Sequence, residues 1–99
     1  MGTREHRIEL LLTKGVESLG GMCRSWKKSN VPGVPEQIVL IKGLVYFVEV
    51  KTSDGKLEDS QVREHKRFED QGIKVIVIKG HDDLVDFLEM LRHVITTKS

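Results

Sequence analysis

The sequence predicts a small α/β domain in which a mixed central sheet is flanked by helices. Three segments carry apolar residues at the three- and four-residue spacing of a helix, and four shorter runs are apolar and β-branched. The last of these runs follows a helix, so a right-handed crossover makes it parallel to its neighbour. The expected order is helix, three strands, helix, strand, helix, and 99 residues predict one domain, 1–99.

A first helix is predicted over about residues 3–19. Its inward-facing residues recur every three or four positions and are Ile8, Leu12, Val16 and Leu19. Gly20 and Gly21 end the helix, because glycine adopts positive φ without a side-chain clash. A short strand is expected from Met22 to Lys27, and residues 29–35 form a stiff loop because they contain both prolines of the chain.

The middle of the chain has the pattern of a hairpin. Gln37–Lys42 and Leu44–Thr52 are apolar and β-branched, and they are joined at Lys42-Gly43. A polar second helix is expected from about residue 57 to Gly72, followed by a buried strand at Ile73–Ile78. A last helix follows Gly80, with inward-facing residues Leu84, Phe87, Leu88 and Leu91.

Composition and charge exclude several classes of protein. Lys and Arg number 16 against 15 Asp and Glu, so the net charge of +1 gives no overall attraction to nucleic acid, which local clusters would have to hold. The single Cys23 and the lack of Cys/His clusters argue against a disulfide scaffold and a zinc finger. No apolar run reaches the ~18–20 residues of a membrane span, and the charged amino terminus is unlike a signal peptide. An intracellular, cytoplasmic protein without a membrane partner is expected.

Ionic side chains lie at one end of the two hairpin strands. Glu49 and Lys51 are two residues apart and therefore share a face, while Glu36 opens the strand that pairs with theirs. Glu36, Glu49 and the backbone carbonyl of Val50 offer hard oxygen ligands for Mg²⁺ or Mn²⁺. Lys51 is placed to orient a water or to offset charge on a phosphate. This set suits phosphodiester hydrolysis, although an isolated Glu-x-Lys is most often a surface ion pair.

Three short motifs add a family resemblance. Gly33-Val34-Pro35-Glu36, Glu49-Val50-Lys51-Thr52 and Ser60-Gln61 resemble those of the PD-(D/E)xK nuclease superfamily, and most closely its virus-type replication-repair nuclease (VRR-Nuc) domain. The resemblance covers most of the chain and implies a restriction-endonuclease-like fold of order αβββαβ(α). It also implies a metal-dependent endonuclease for branched or flapped DNA that is homodimeric or embedded in a larger protein. Stand-alone phage and bacterial members are similar to Holliday-junction resolvases.

The resemblance also implies roles for single residues. Glu49 matches the metal-binding acid, Lys51 the catalytic lysine and Gln61 a glutamine on the following helix. Glu9 matches an acid of the first helix that assists the metal through water, with Glu5 as second choice. A solvated helix face for Glu9, and an ordinary partly buried glutamine for Gln61, remain the structural alternatives.

Glu36 departs from the family pattern, which has aspartate after the proline. The side chain is one methylene longer, and a displacement of about an ångström in an active site can cost about 10²-fold in rate. A weakened nuclease is therefore expected, unless a compensating backbone movement restores the position of the carboxylate. The alternative is a DNA-binding or dimerisation module that keeps the nuclease fold without cutting.

Contacts with DNA and with a second subunit are expected from other residues. The candidates for DNA binding precede the proline-containing loop and are Arg24, Trp26, Lys27 and Lys28. Trp26 suits stacking on an exposed base, although burial in the core is equally compatible with the sequence. The basic residues of the second helix are expected to be mostly solvated. A dimer interface is expected from widened apolar arcs on the last and first helices, at Phe87, Met90, Leu91, Val94, Leu10 and Leu11.

Overall fold

The computed structural model describes residues 3–26 and 30–97, in which three helices flank a four-stranded sheet. The elements in chain order are α1 (Arg4–Ser18), β1 (Met22–Ser25), β2 (Gln37–Ile41), β3 (Leu44–Lys51), α2 (Asp59–Asp70), β4 (Ile76–Lys79) and α3 (Gly80–Thr97). The strands lie in the order β1-β2-β3-β4, antiparallel except for the parallel pair β3 and β4. The predicted fold class, element order and parallel last strand are confirmed.

The ends of the first helix and the hairpin follow from local chemistry. Thr3 caps α1, because its hydroxyl accepts a hydrogen bond from the His6 amide at 3.0 Å. Gly20 has φ of +91°, the left-handed conformation predicted for the helix end. Lys42 and Gly43 have φ of 47° and 79°, which gives β2 and β3 a tight two-residue connection.

The last strand begins three residues later than the sequence predicts. The residues before it belong to the end of α2, where the Gly72 amide donates to the Glu69 carbonyl at 2.9 Å and the Ile73 amide donates to the Phe68 carbonyl at 2.9 Å. This is the Schellman arrangement, with Gly72 at φ +85°. Ile73 therefore closes a helix instead of opening a strand.

The aliphatic core lies between the sheet and the pair α1 and α3. Its buried members are Leu12, Val16, Cys23, Val39, Ile41, Val48, Val50, Ile78, Leu84, Phe87 and Leu91. Phe87 and Leu91 were expected at a dimer interface, and that expectation is wrong because both fill this core. Leu10 and Leu11 of α1 are exposed, at 50% and 40%.

The opposite face of the sheet is covered by α2, which contacts it through an aromatic pair. The rings of Phe47 and Phe68 meet edge to face with centroids 5.3 Å apart. The loop before β2 also approaches α2 closely, because a Cβ on Gly33 would lie 2.1 Å from the Ser60 carbonyl oxygen. Gly33, at φ +89°, thus holds the proline-containing loop against the first turn of α2. None of the helices within residues 3–26 and 30–97 is both long and apolar enough to cross a membrane.

Candidate active site

The two predicted metal-binding glutamates lie opposite each other on the face that α2 covers. Gln37 pairs with Val48 in the β2–β3 ladder, so extending that register by one residue sets Glu36 opposite Glu49. Directly paired residues in antiparallel strands point to the same face. Lys51, two residues after Glu49, shares this face. Glu36, Glu49 and Lys51 are therefore brought together as the sequence predicts.

Glu49 is a buried acid, with 4% of its surface exposed. Its pKa is raised to about 7, first because burial removes solvent from the carboxylate. The Lys51 ammonium opposes this rise, whereas the nearby carboxylates of Glu36, Glu5 and Glu9 add to it. The site therefore concentrates negative charge around a poorly hydrated carboxylate, which a divalent cation would stabilise.

His65 contacts Glu49 and was given no role by the sequence analysis. Its Nε2 lies 3.4 Å from Glu49 Oε1, and both side chains are largely buried. Burial also lowers the pKa of His65, so burial favours the neutral form of both partners in this contact. The signal in the sequence was its place one helical turn after Gln61, which sets both residues on one side of α2.

Val50 lies beyond the last residue pair of the β2–β3 ladder. Extending that register by two residues sets Val50 opposite Pro35, which has no N–H to donate. Pro35 therefore supplies no ladder hydrogen bond to the Val50 carbonyl, the oxygen that the sequence predicts as a metal ligand. Pro35 is itself fully buried, which fixes this end of the ladder.

Glu9 lies nearer the α1 side of the same strand end. Its Oε2 accepts a hydrogen bond from Gln37 Nε2 at 3.3 Å, and its Oε1 lies 3.5 Å from His6 Nδ1. Gln37 faces α1 while its neighbour Glu36 faces α2, so Glu9 contacts the other side of β2 from Glu36, although it is near enough to Glu49 to raise the pKa of that acid. Two acids of α1 raise the pKa of Glu49, and Glu5 does so more than Glu9.

Gln61 caps the amino terminus of α2. Its Oε1 accepts a hydrogen bond from the Glu58 amide at 2.8 Å, as in a capping box. The contact of Gly33 with Ser60 and Gln61 brings this turn beside the loop that leads to Glu36. Gln61 therefore has a structural task at the margin of the site.

The candidates for DNA binding divide into two groups. Arg24 and Trp26 are exposed at β1 and just beyond it, whereas Lys27 and Lys28 lie outside the described residues. On α2, Lys66 pairs with Asp70 at 2.7 Å and Arg67 pairs with Glu64 at 3.1 Å. These helix pairs fit the expectation of a mostly solvated face.

The donor set fits a hard divalent cation. Within the described part of the chain, no three side chains of His, Cys, Asp or Glu form a metal-binding group on their own. Mg²⁺ is often held by one or two carboxylates, with waters and substrate phosphate completing its shell. Glu36, Glu49 and the Val50 carbonyl would offer oxygen donors of that kind.

Comparisons with known proteins agree with this geometry. The sequence is 35% identical over 80 residues to "Putative nuclease p44" of Acyrthosiphon pisum secondary endosymbiont phage 1, a match that spans 80% of this chain and 86% of the relative. A solved structure described as a "VRR_NUC domain" superposes with a TM-score of 0.80 at 32% identity, covering 89% of this chain and 97% of the other. No family model matches the sequence. Fold, strand-end motifs and similarity together show that this chain belongs to the VRR-Nuc nuclease domain family.

Proposed function

We propose that this protein is a metal-dependent endonuclease that hydrolyses phosphodiester bonds in DNA. The observation that carries the proposal is the set Glu36, Glu49 and Lys51 on one sheet face, with Glu49 buried and surrounded by other carboxylates. Membership of a nuclease family and similarity to a phage protein named as a nuclease support it.

Glu36, Glu49 and the Val50 carbonyl would hold Mg²⁺ or Mn²⁺, with Glu9 assisting through a water. When bound, such a cation polarises the phosphoryl group as a Lewis acid. Cation binding requires the ionised form of Glu49, which His65 keeps oriented through its contact with Oε1.

Lys51 carries the charge that acts on the reacting phosphate. Its ammonium lies beside Glu49 and shares its face, so it is placed to orient the attacking water and to offset the negative charge that builds on phosphate oxygens. An ammonium cannot ligate a metal, so the roles of Lys51 and Glu49 are separable by mutation.

The substrate we propose is branched or flapped DNA, as for a resolvase-like member of the family. A four-way junction has near two-fold symmetry and needs paired cuts, so a subunit with one site must act as a dimer. Leu10 and Leu11 are the exposed apolar residues of α1 available for that interface. Light scattering at micromolar concentration tests the dimer, and replacing both leucines by Gln should yield a monomer, whereas Val85→Gln on α3 serves as an exposed control.

Cleavage of matched DNAs tests the activity. Four-way, flap and linear duplexes of equal length are incubated with Mg²⁺ or Mn²⁺, and Lys51→Ala should lower the cleavage rate by about 10²–10³-fold. Calorimetric metal titration should give nearly unchanged binding for Lys51→Ala and lost binding for Glu49→Ala. Lys14→Ala, an exposed lysine of α1, is the charge-matched control.

Undiminished cleavage by Lys51→Ala would overturn the catalytic assignment. If the wild type binds these DNAs and metal but cuts none of them, the protein is a binding module on a nuclease fold.

A further inference from the structure

Trp26 lies at the outer end of a row of side chains that leads into the candidate active site. The Trp26 amide donates to the Glu36 carbonyl at 3.0 Å, which continues the β1–β2 pairing beyond Ser25 and Gln37. Glu36 in turn faces Glu49 across the next strand pair. Trp26, Glu36 and Glu49 thus form one cross-strand row on the α2 face of the sheet.

The indole ring of Trp26 contacts an aromatic neighbour and keeps part of its surface exposed. Its centroid lies 6.5 Å from that of Phe47, at an interplanar angle of 50°, and Phe47 packs in turn against Phe68 of α2. Helix α2 covers this face at β3, whereas Trp26 beyond β1 stays 40% exposed. A large aromatic ring thereby combines a contact with the sheet face and surface that a ligand can cover.

We propose that Trp26 is a stacking platform for an unpaired nucleobase close to the phosphate that is cut. This inference rests on the proposed nuclease function and adds to it a residue that determines substrate specificity. Neighbouring strands lie about 4.8 Å apart, so Trp26 is about 10 Å from Glu49 along the row. One DNA strand advances about 3.4 Å per nucleotide, which sets the stacked base within about three nucleotides of the cut.

The stacked base must be unpaired because bases inside a duplex already stack on their neighbours. A base in a flap, a loop or an open branch point offers a free face without the cost of extrusion. Stacking on an aromatic side chain tolerates every base, so Trp26 selects strand structure and not sequence. The platform favours DNA that is single-stranded beside the cut over an intact duplex.

Trp26 is the single tryptophan of the chain, so its fluorescence reports directly on stacking. Lys51→Ala protein without metal is titrated with a flap DNA, its flap strand alone and a blunt duplex, at one fixed salt concentration. We expect strong quenching by the flap and the single strand, and little by the duplex.

Substitution of Trp26 measures how much the stacking contributes to binding. Trp26→Ala should weaken flap binding by about 5- to 150-fold and leave duplex binding nearly unchanged, whereas Trp26→Phe should keep most of the affinity. Flap DNAs that each lack one base, at successive positions of the flap strand, give a matched test. The abasic position that removes the stacked base, within about three nucleotides of the mapped cut, should weaken binding to the protein that has Trp26. The same abasic position should not weaken binding to Trp26→Ala further.

The inference is overturned if the indole emission does not change on flap binding, or if every abasic position is tolerated. Equal weakening of flap and duplex binding by Trp26→Ala and Trp26→Phe would also overturn it. These titrations contain no metal and no cleavage. A nuclease that cuts without quenching refutes only the platform, and quenching by a protein that never cuts refutes only the proposed activity.

Discussion

Burial stabilises apolar side chains on one face of the sheet and destabilises an ionised side chain on the other face. Strand β3 contributes residues to both faces. Val50 and Glu49 are neighbours with 2% and 4% of their surfaces exposed. Burial stabilises the valine, which packs among the residues between α1 and α3, and it destabilises the ionised glutamate, whose pKa rises to about 7. Because successive side chains of a strand point to opposite faces of the sheet, the burial of two adjacent residues has opposite effects on the stability of the fold.

The covering helices match this division. Helices α1 and α3 contribute five of the buried core residues, Leu12, Val16, Leu84, Phe87 and Leu91, whereas the buried residue of α2 is Glu64. Glu64 is paired with Arg67, and its neighbour His65 contacts Glu49. The face covered by α1 and α3 therefore stabilises the fold. The face covered by α2 holds polar groups whose contribution to stability depends on what they bind.

The largest expected change in stability comes from the aliphatic face. Leu91→Ala removes a fully buried side chain and should lower the free energy of unfolding by about 2–5 kcal/mol, measured by urea denaturation. The cleavage rate per folded molecule should stay close to that of the wild type. Val85→Ala, on the exposed side of the same helix, should change stability by less than about 0.5 kcal/mol. A lost cleavage rate in folded Leu91→Ala would show that the two faces are coupled.

Replacing Glu49 should have the opposite effect on stability, because the buried carboxylate destabilises the folded state when it is ionised. Its pKa is about 7 in the folded protein and about 4.3 when unfolded, so the folded state binds the extra proton and stability falls as pH rises between these values. Glu49→Gln lacks this loss, so its stability relative to the wild type should increase by about 3 kcal/mol between pH 4 and pH 8.

Adding Mg²⁺ gives a second test of the difference between the wild type and Glu49→Gln. It should stabilise the wild type at pH 8 and have no such effect on Glu49→Gln, because only the carboxylate binds the cation. Thermal unfolding at several pH values, with and without Mg²⁺, measures both effects. A difference between the two proteins that does not vary with pH would contradict the raised pKa.

The sequence predicted the aliphatic face more completely than the candidate site. The core positions follow from the periodicity of the sequence: Leu12 and Val16 recur at helical spacing, and Val48 and Val50 alternate with Glu49 and Lys51. Glu36 and Glu49 were predicted together because a tight turn fixes the hairpin register. His65 was missed because its contact joins residues 16 positions apart across a helix and a strand, and its place one turn after Gln61 does not fix how closely α2 approaches β3.

A smaller effect on activity is expected from Glu36→Asp. The variant restores the shorter acid of the family pattern, and repositioning the carboxylate by about an ångström should raise the cleavage rate by up to about 10²-fold. Cleavage of a four-way junction with Mn²⁺ measures the effect, and Glu17→Asp, at an exposed acid of α1, is the control for the same change. An unchanged or lower rate would show that the longer side chain suits this site.

The smallest expected effect is that of replacing Gln61, which caps α2 and is also predicted to act in the candidate site. Gln61→Ala removes the acceptor for the Glu58 amide and should cost about 0.5–2 kcal/mol of unfolding free energy. Gln61→Glu keeps an acceptor in the capping box, so it should retain that stability. If the amide group also contacts water or DNA in the site, Gln61→Glu will cut more slowly although it is as stable as the wild type, because a carboxylate cannot donate and repels phosphate. Urea denaturation and cleavage are measured in parallel on the wild type and the two variants. Equal cleavage by all three folded proteins would show that Gln61 only caps α2.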